Sequence, residues 1–237
     1  MDPQNTFFVC THHRCGTVLM LNVFRRYSHL TGQVFFKGPL AEAPEDTAIL
    51  QDAHSRSKLP EDASGLHLMR DPFDMLLSHI RYHETTKSPN EVPNKKVMDD
   101  GRLYREHLIE LPTLGEKAAF EIDNVYGRTL RSMLKWDYGN DRFHNYPLDT
   151  FLDLPATERV VRDLSASFPV FEGELKALTT AFSHVVKATH IRERHGTRVA
   201  GERAKDVLPR AVVERIYAEF PGADALEERV AAFRVPA

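Results

Sequence analysis

The run TFFVCT (Thr6–Thr11), followed by HHRCGT and then VLMLNVFRRYSHL, constrains this chain more than any other segment. A short apolar run with β-branched and aromatic residues has strand composition. After it, Leu19, Val23, Tyr27 and Leu30 recur near helical spacing, and Gly32 is a natural helix stop. The spacing therefore predicts a strand, a tight loop and a helix in direct succession. Further strand candidates are Gln33–Lys37, Thr47–Ala53, Gly65–Arg70 and Arg142–Tyr146, and the Gly65 run leads straight into the helix-like PFDMLLSHIRYHE. This alternation predicts an α/β layer fold with a central, mainly parallel sheet flanked by helices.

The middle of the chain reads as helical. Gly101–Leu111 and Leu114–Trp136 are amphipathic, with Pro112 between them, and Glu158–Leu164 and Pro209–Phe220 are further helix candidates. Thr85–Lys96 is polar, carries two prolines and reads as a loop, the best candidate for a mobile one. No repeat or linker divides the sequence, so residues 1–237 are expected to form a single domain. Thirty-one Lys and Arg stand against thirty-four Asp and Glu, a net charge of -3. That balance gives no support to a duplex-wrapping or polybasic membrane role. Two cysteines cannot make a disulfide scaffold. No stretch approaches the roughly 20 apolar residues of a membrane span, and the first residues lack signal-peptide character. The expectation is a cytoplasmic protein without a membrane span and without a nucleic-acid partner. Its oligomeric state is not legible.

The first loop places Arg14, Gly16 and Thr17 where a strand turns into a helix. Helix N-termini offer unpaired N–H groups and partial positive charge. A glycine permits close backbone approach, and an arginine adds full charge and a fork of donors. Together these make an anion cradle, although a plain turn with a surface arginine would read the same way. The Walker pattern GxxxxGK[ST] is absent, which disfavours an ordinary ATP or GTP site. Cys10, His12, His13 and Cys15 are metal-capable types, but no second ligand pair follows at zinc spacing, and no CxxxxxR phosphatase loop is formed.

The second corner is GLHLMRDPFDMLLSHIRYH. Arg70 closes the strand, Asp71 is placed to cap a helix, Pro72 suits its first position and Asp74 its first turn. Ser78 lies further along, and helical side chains lean back toward the N-terminus. An Arg and a Ser at such an edge can hold a phosphate. An Arg that only bonds the cap, with Ser78 packed, is the bland alternative.

These two segments, in this order, resemble the nucleotide site of the sulfotransferases that use 3'-phosphoadenosine 5'-phosphosulfate (PAPS). Thr11-His12-His13-Arg14-Cys15-Gly16-Thr17-Val18-Leu19 is similar to the family form TYPKSGTTW. Arg70 to Ser78, followed by His79 and His83, is similar to RxPxDxxxSxxxH. The resemblance implies a P-loop NTPase-like, three-layer fold and sulfonate transfer, leaving 3',5'-ADP, with no metal required. It implies that Arg14, Cys15, Gly16, Thr17 and Val18 hold the 5'-phosphosulfate and that Arg70 and Ser78 grip the 3'-phosphate. Arg14 replaces the family's loop lysine, and Leu19 stands where the family's adenine-stacking aromatic would be. ILQDAHSRSKLP resembles the family's VKTHLPxxLLP, which puts His54 at the general base. Glu42, with Lys37 nearby, is the competing base. Arg194-His195-Gly196 resembles the start of RKGxxGxW, implied to close over the 3'-phosphate, although the tryptophan is missing. The likeness is good over residues 6–80, thin through the helical middle and faint near residue 194. The implied acceptor is a small molecule or glycan of unidentified structure. A P-loop-like nucleotide kinase or nucleotide-binding module is the alternative.

Overall fold

A computed structural model describes residues 5–53, 59–193 and 203–233. The strands are β1 (Phe7–Thr11), β2 (Val34–Lys37), β3 (Thr47–Ala53), β4 (Ser64–Met69) and β5 (Phe143–Pro147). The helices are α1 (Thr17–Thr31), α2 (Pro72–Thr85), α3 (Val92–Lys95), α4 (Tyr104–Glu110), α5 (Leu114–Asp123), α6 (Val125–Leu134), α7 (Leu154–Ser167), α8 (Leu175–Glu193), α9 (Ala204–Val207), α10 (Arg210–Glu219) and α11 (Ala223–Ala232). Two compact units are distinguished, one within Met1–Arg70, Lys135–Gly196 and Arg229–Ala237, the other within Asp71–Leu134 and Thr197–Glu228.

The first unit holds a five-stranded sheet of order β2-β3-β1-β4-β5, and every pairing is parallel. The α/β expectation, a central parallel sheet flanked by helices, holds. Alternation along β1 sends Phe7 and Val9 to one face and Phe8 and Cys10 to the other, as a period of two requires. On the first face they meet Met20, Val23, Phe24 and Tyr27 of α1, Val160 and Leu164 of α7, and Phe182 of α8, all fully or almost fully buried. Phe7, Phe24 and Phe171 pack with centroids 4.7–6.4 Å apart. On the other face Phe8, Cys10, Leu50, Ala63 and Phe143 meet Trp136 and Leu40.

Because parallel strands send all their carboxyl ends to one edge, the loops after β1, β2, β3 and β4 share that edge. The chain leaves β1 toward β2 on one side of the sheet, while β4 is neighbour to β1 on the other side. Ligand crevices in open α/β sheets form at such a switch in direction.

In the second unit, Asp71 caps α2 as expected. Its Oδ1 accepts from the Phe73 and Asp74 amides at 2.9 and 3.1 Å, with Pro72 in the first turn. His79 and His83, one helical turn apart on α2, face Glu121 of α5, and all three are fully buried. Burial pushes the Glu121 carboxyl up, but the adjacent His79, 3.6 Å away, and His83, hydrogen-bonded at 2.6 Å, outweigh it and hold the group at about 2.

Two expectations are corrected in detail. Leu114–Trp136 is two helices, interrupted at Asn124, whose side-chain amide donates back to the Phe120 carbonyl at 2.9 Å. Such local side-chain bonding competes with the helical ladder. Residues 85–96 are not all loop. They include α3, where the Asn94 amide donates to the Thr86 and Ser88 carbonyls.

Gly65 pairs with Phe8 where the strands approach too closely for a side chain, since a Cβ there would sit 2.0 Å from the Phe8 carbonyl oxygen. Gly65→Ala is expected to cost about 3 kcal/mol or more of stability in denaturant unfolding. A midpoint equal to wild type would show that β1 and β4 are not so closely apposed.

Candidate active site

The loop after β1 is built on backbone geometry that the sequence does not announce. Arg14 takes a left-handed conformation at φ 63°, and Gly16 another at φ 82°. The first is uncommon for a residue with a side chain. It is held by contacts on both sides. The Cys15 amide donates to the His12 carbonyl at 2.9 Å, and the Thr17 hydroxyl reaches the same carbonyl at 3.2 Å. The Thr17 hydroxyl also meets Thr11 Oγ1 at 2.9 Å. From β4, Arg70 Nη1 donates to the Arg14 carbonyl at 2.6 Å. Arg70 thus meets the loop after β1 at the switch point of the sheet.

Gly16 is the N-cap of α1. No side-chain cap bonds there, and the first turn contains no acidic residue. α2, by contrast, has Asp71 at its cap and Asp74 in its first turn. The positive end of α1 therefore keeps its field, and two guanidinium groups, Arg14 and Arg70, add to it. Arg70 Nε is buried and has no hydrogen-bond partner among the described residues. A buried donor in that state costs free energy that an anionic acceptor recovers. From β3, Gln51 Nε2 donates to the Thr17 carbonyl at 2.8 Å and fixes the start of α1.

Cys15 is fully buried, and burial pushes its thiol up to about 12 against the opposing pull of Arg70 and Arg14. A thiol so protonated is not a nucleophile. It contributes loop packing and a backbone amide. Cys10 is likewise a core residue of β1. Val18 is 65% exposed in the first turn of α1, and Leu19 packs on the core.

Glu42 is exposed, in a 3-10 turn at Leu40–Glu42 that follows β2, and Lys37 ends β2. Both stand at the carboxyl edge of the sheet, with β3 between β2 and β1. Ser78 is buried in α2. His54 and the stretch Arg194, His195 and Gly196 lie outside the described residues.

Sequence reasoning missed a buried polar chain beside this loop. His12 Nε2 and His67 Nε2 are 2.9 Å apart, and His67 Nδ1 lies 2.9 Å from Asn145 Oδ1, which also accepts from Trp136 Nε1 at 2.9 Å. The available signal was a lone His in the apolar strand GLHLM.

No family model matches the chain, and no curated protein matches it. Among solved structures, the mouse sulfotransferase SULT7A1 complexed with PAP is similar at TM-score 0.57 and 15% identity. The match covers 98% of this chain and 90% of that one. The likeness shows the fold: an α/β, P-loop-like sulfotransferase fold. No helix among the described residues is long and apolar enough to cross a membrane.

Two predictions follow from the loop. A Cβ on Gly16 would lie 2.7 Å from Leu68 Cδ1 and 2.8 Å from Leu148 Cδ1, on a left-handed backbone. Gly16→Ala is expected to cost about 1–3 kcal/mol in thermal or urea unfolding. The second concerns pH. Burial, then the neighbouring His12, holds His67 well below the usual histidine value, against a smaller upward pull from Asn145. Below about pH 6.5 the unfolded chain takes up a proton at this ring that the folded chain refuses. Stability is therefore complete above that pH and falls as pH drops below it. Unfolding free energies measured from pH 8 to 5 should decline less steeply for His67→Gln than for wild type. Parallel curves would contradict this.

Proposed function

We propose that Met1–Ala237 is one sulfotransferase-like domain that acts in the cytoplasm, moving a sulfonate group from PAPS to a hydroxyl or amine of a small-molecule or glycan acceptor. The observation that carries this reading is the convergence of Arg14, Arg70 and the acid-free N-terminus of α1 at one switch point. The sulfotransferase fold supports it, and PAP in the similar mouse enzyme is the donor's product without its sulfonate.

In this reading the amides of Gly16, Thr17 and Val18 hold the 5'-phosphosulfate, with Arg14 beside them, and Cys15, whose own amide closes the turn on the His12 carbonyl, shapes the loop around it. Arg70, by its unpartnered Nε, holds the 3'-phosphate. Ser78 joins it by its place in the motif, and Arg194, His195 and Gly196 close over the same phosphate by theirs. A base takes the proton of the acceptor O–H or N–H as its oxygen or nitrogen attacks sulfur in line. The bond from sulfur to the bridging phosphate oxygen breaks, and that oxygen departs with the electron pair. Arg14 stabilises the charge there without donating a proton, since a guanidinium stays protonated. These groups supply the charge stabilisation without a metal ion. His54 is the preferred base. Ala53, the residue before it, pairs with Thr11 at the mouth of the loop, whereas Glu42 follows the edge strand β2.

Thermal shift with 3',5'-ADP and with ATP, both without divalent metal, tests the reading. Binding to the native state raises stability as RT ln(1+[L]/Kd). A larger shift with 3',5'-ADP is expected. A larger shift with ATP would favour a P-loop-like kinase or nucleotide-binding module instead.

Arg14→Gly separates fold from chemistry. Glycine adopts positive φ freely, so the variant should melt at or above the wild-type temperature, with relief of up to about 1 kcal/mol. Sulfonate transfer should fall by about 100-fold or more, on the scale of losing one charge-stabilising group. Retained turnover would remove Arg14 from the mechanism. His54→Ala should abolish turnover while sparing 3',5'-ADP binding, and unchanged turnover would transfer the base role to Glu42.

A further inference from the structure

The buried chain Trp136–Asn145–His67–His12 has a hydrogen-bond direction that can be worked out from one end. Indole Nε1 is a donor only, and it donates to Asn145 Oδ1. Asn145 Nδ2 donates to the Phe143 carbonyl at 3.1 Å, so the amide orientation is fixed from both sides. Asn145 Oδ1 is therefore an acceptor toward His67, and His67 Nδ1 carries the hydrogen. The neutral ring then has its lone pair on Nε2. Burial keeps this ring neutral. His12 Nε2 must in consequence donate to it.

The plane of the His67 ring is fixed as well. It stacks on Trp136 at 4.0 Å with 8° between planes, and Tyr138 meets it edge-on at 5.6 Å. His67 sits beside Cys10 in the β1–β4 register, two residues before His12. The residue it grasps is the one whose carbonyl accepts both the Cys15 amide and the Thr17 hydroxyl. His12 is thus held by its ring from β4 while its carbonyl holds the loop.

We propose that His67 is a positioning residue for the anion loop: locked by Asn145 and Trp136, it accepts a hydrogen bond from His12 and so holds the His12 carbonyl beneath Cys15 and Thr17. This rests on the nucleotide reading above for its functional consequence but not for its geometry. Arg14 is kept in its left-handed conformation from two sides, by Arg70 at its own carbonyl and by this anchored turn before it. His67 touches no reacting atom in this role. Its contribution is to keep the loop amides aimed, which matters because small misplacements of anion-holding groups are costly.

Two measurements test it. Nitrogen-15 imidazole spectra of the full chain at pH 7.5 should show His67 as the Nδ1–H tautomer and His12 as Nε2–H. A protonated His67, or His67 with its hydrogen on Nε2, overturns the proposal. In the second, calorimetric binding of 3',5'-ADP is compared among wild type, His67→Phe and His67→Gln. Phenylalanine keeps the stack on Trp136 and removes the acceptor. Glutamine Oε1 can replace Nε2 as acceptor for His12. His67→Phe should weaken binding about tenfold, the scale of one lost buried hydrogen bond. His67→Gln should stay within about threefold of wild type. Wild-type affinity in the Phe variant, or equal loss in both variants, overturns the proposal. Should His67→Phe fail to fold, Asn145→Leu removes the lock from outside the loop. A His12 ring still wholly Nε2–H there, with unchanged affinity, overturns it equally. Wild-type protein that binds no 3',5'-ADP refutes the nucleotide reading, while the tautomer spectra still decide the anchor.

Discussion

The bond from the Arg70 guanidinium to the Arg14 carbonyl joins the ends of two neighbouring parallel strands. It gives a half-buried guanidinium a partner and holds a left-handed arginine in place at once. Without such over-determination a non-glycine residue at φ 63° would relax toward a commoner conformation. The consequence is a turn held from both strands. Gly16 completes it by bringing the backbone against Leu68 and Leu148, where no side chain fits.

The same geometry explains the apparent chemical oddities of the loop. Cys15 has the type of a nucleophile and the environment of a core residue, with its thiol held protonated. Two adjacent histidines look like metal ligands in the sequence, yet the His12 ring is engaged by β4. Electrostatic strength comes instead from two permanent cations and an uncapped helix, a combination that suits a doubly charged phosphate ester and needs no titration near neutral pH. The carboxylates of the second unit are used differently. Asp71 and Asp74 serve α2, and Glu121 is buried against His79 and His83.

Much of this architecture was legible in the sequence. The strands β1 to β4 are short, mainly apolar runs, and the starts of α1 and α2 are marked by Gly16 and by Asp71-Pro72. The anion corner was legible because it depends on residue types at a strand-to-helix junction. The break at Asn124 was not, because asparagine is tolerated within helices and the bond back to Phe120 exists only once the break has formed. α8 was overlooked although Leu178, Ala181, Phe182 and Val185 keep helical spacing, because Thr179, His184 and Lys187 dilute the stripe. The conformation of Arg14 and the chain from Trp136 to His12 were beyond reach. The first depends on Arg70, 56 positions away, and the second joins residues as far apart as His12 and Asn145, which only the strand order brings side by side.

The most direct test is a crystal structure of the complex with 3',5'-ADP. The account predicts the 5'-phosphate on the amides of residues 16–18, its charge faced by Arg14, and the 3'-phosphate on the Arg70 guanidinium. A nucleotide seated elsewhere, or one whose phosphates touch neither arginine, would contradict it.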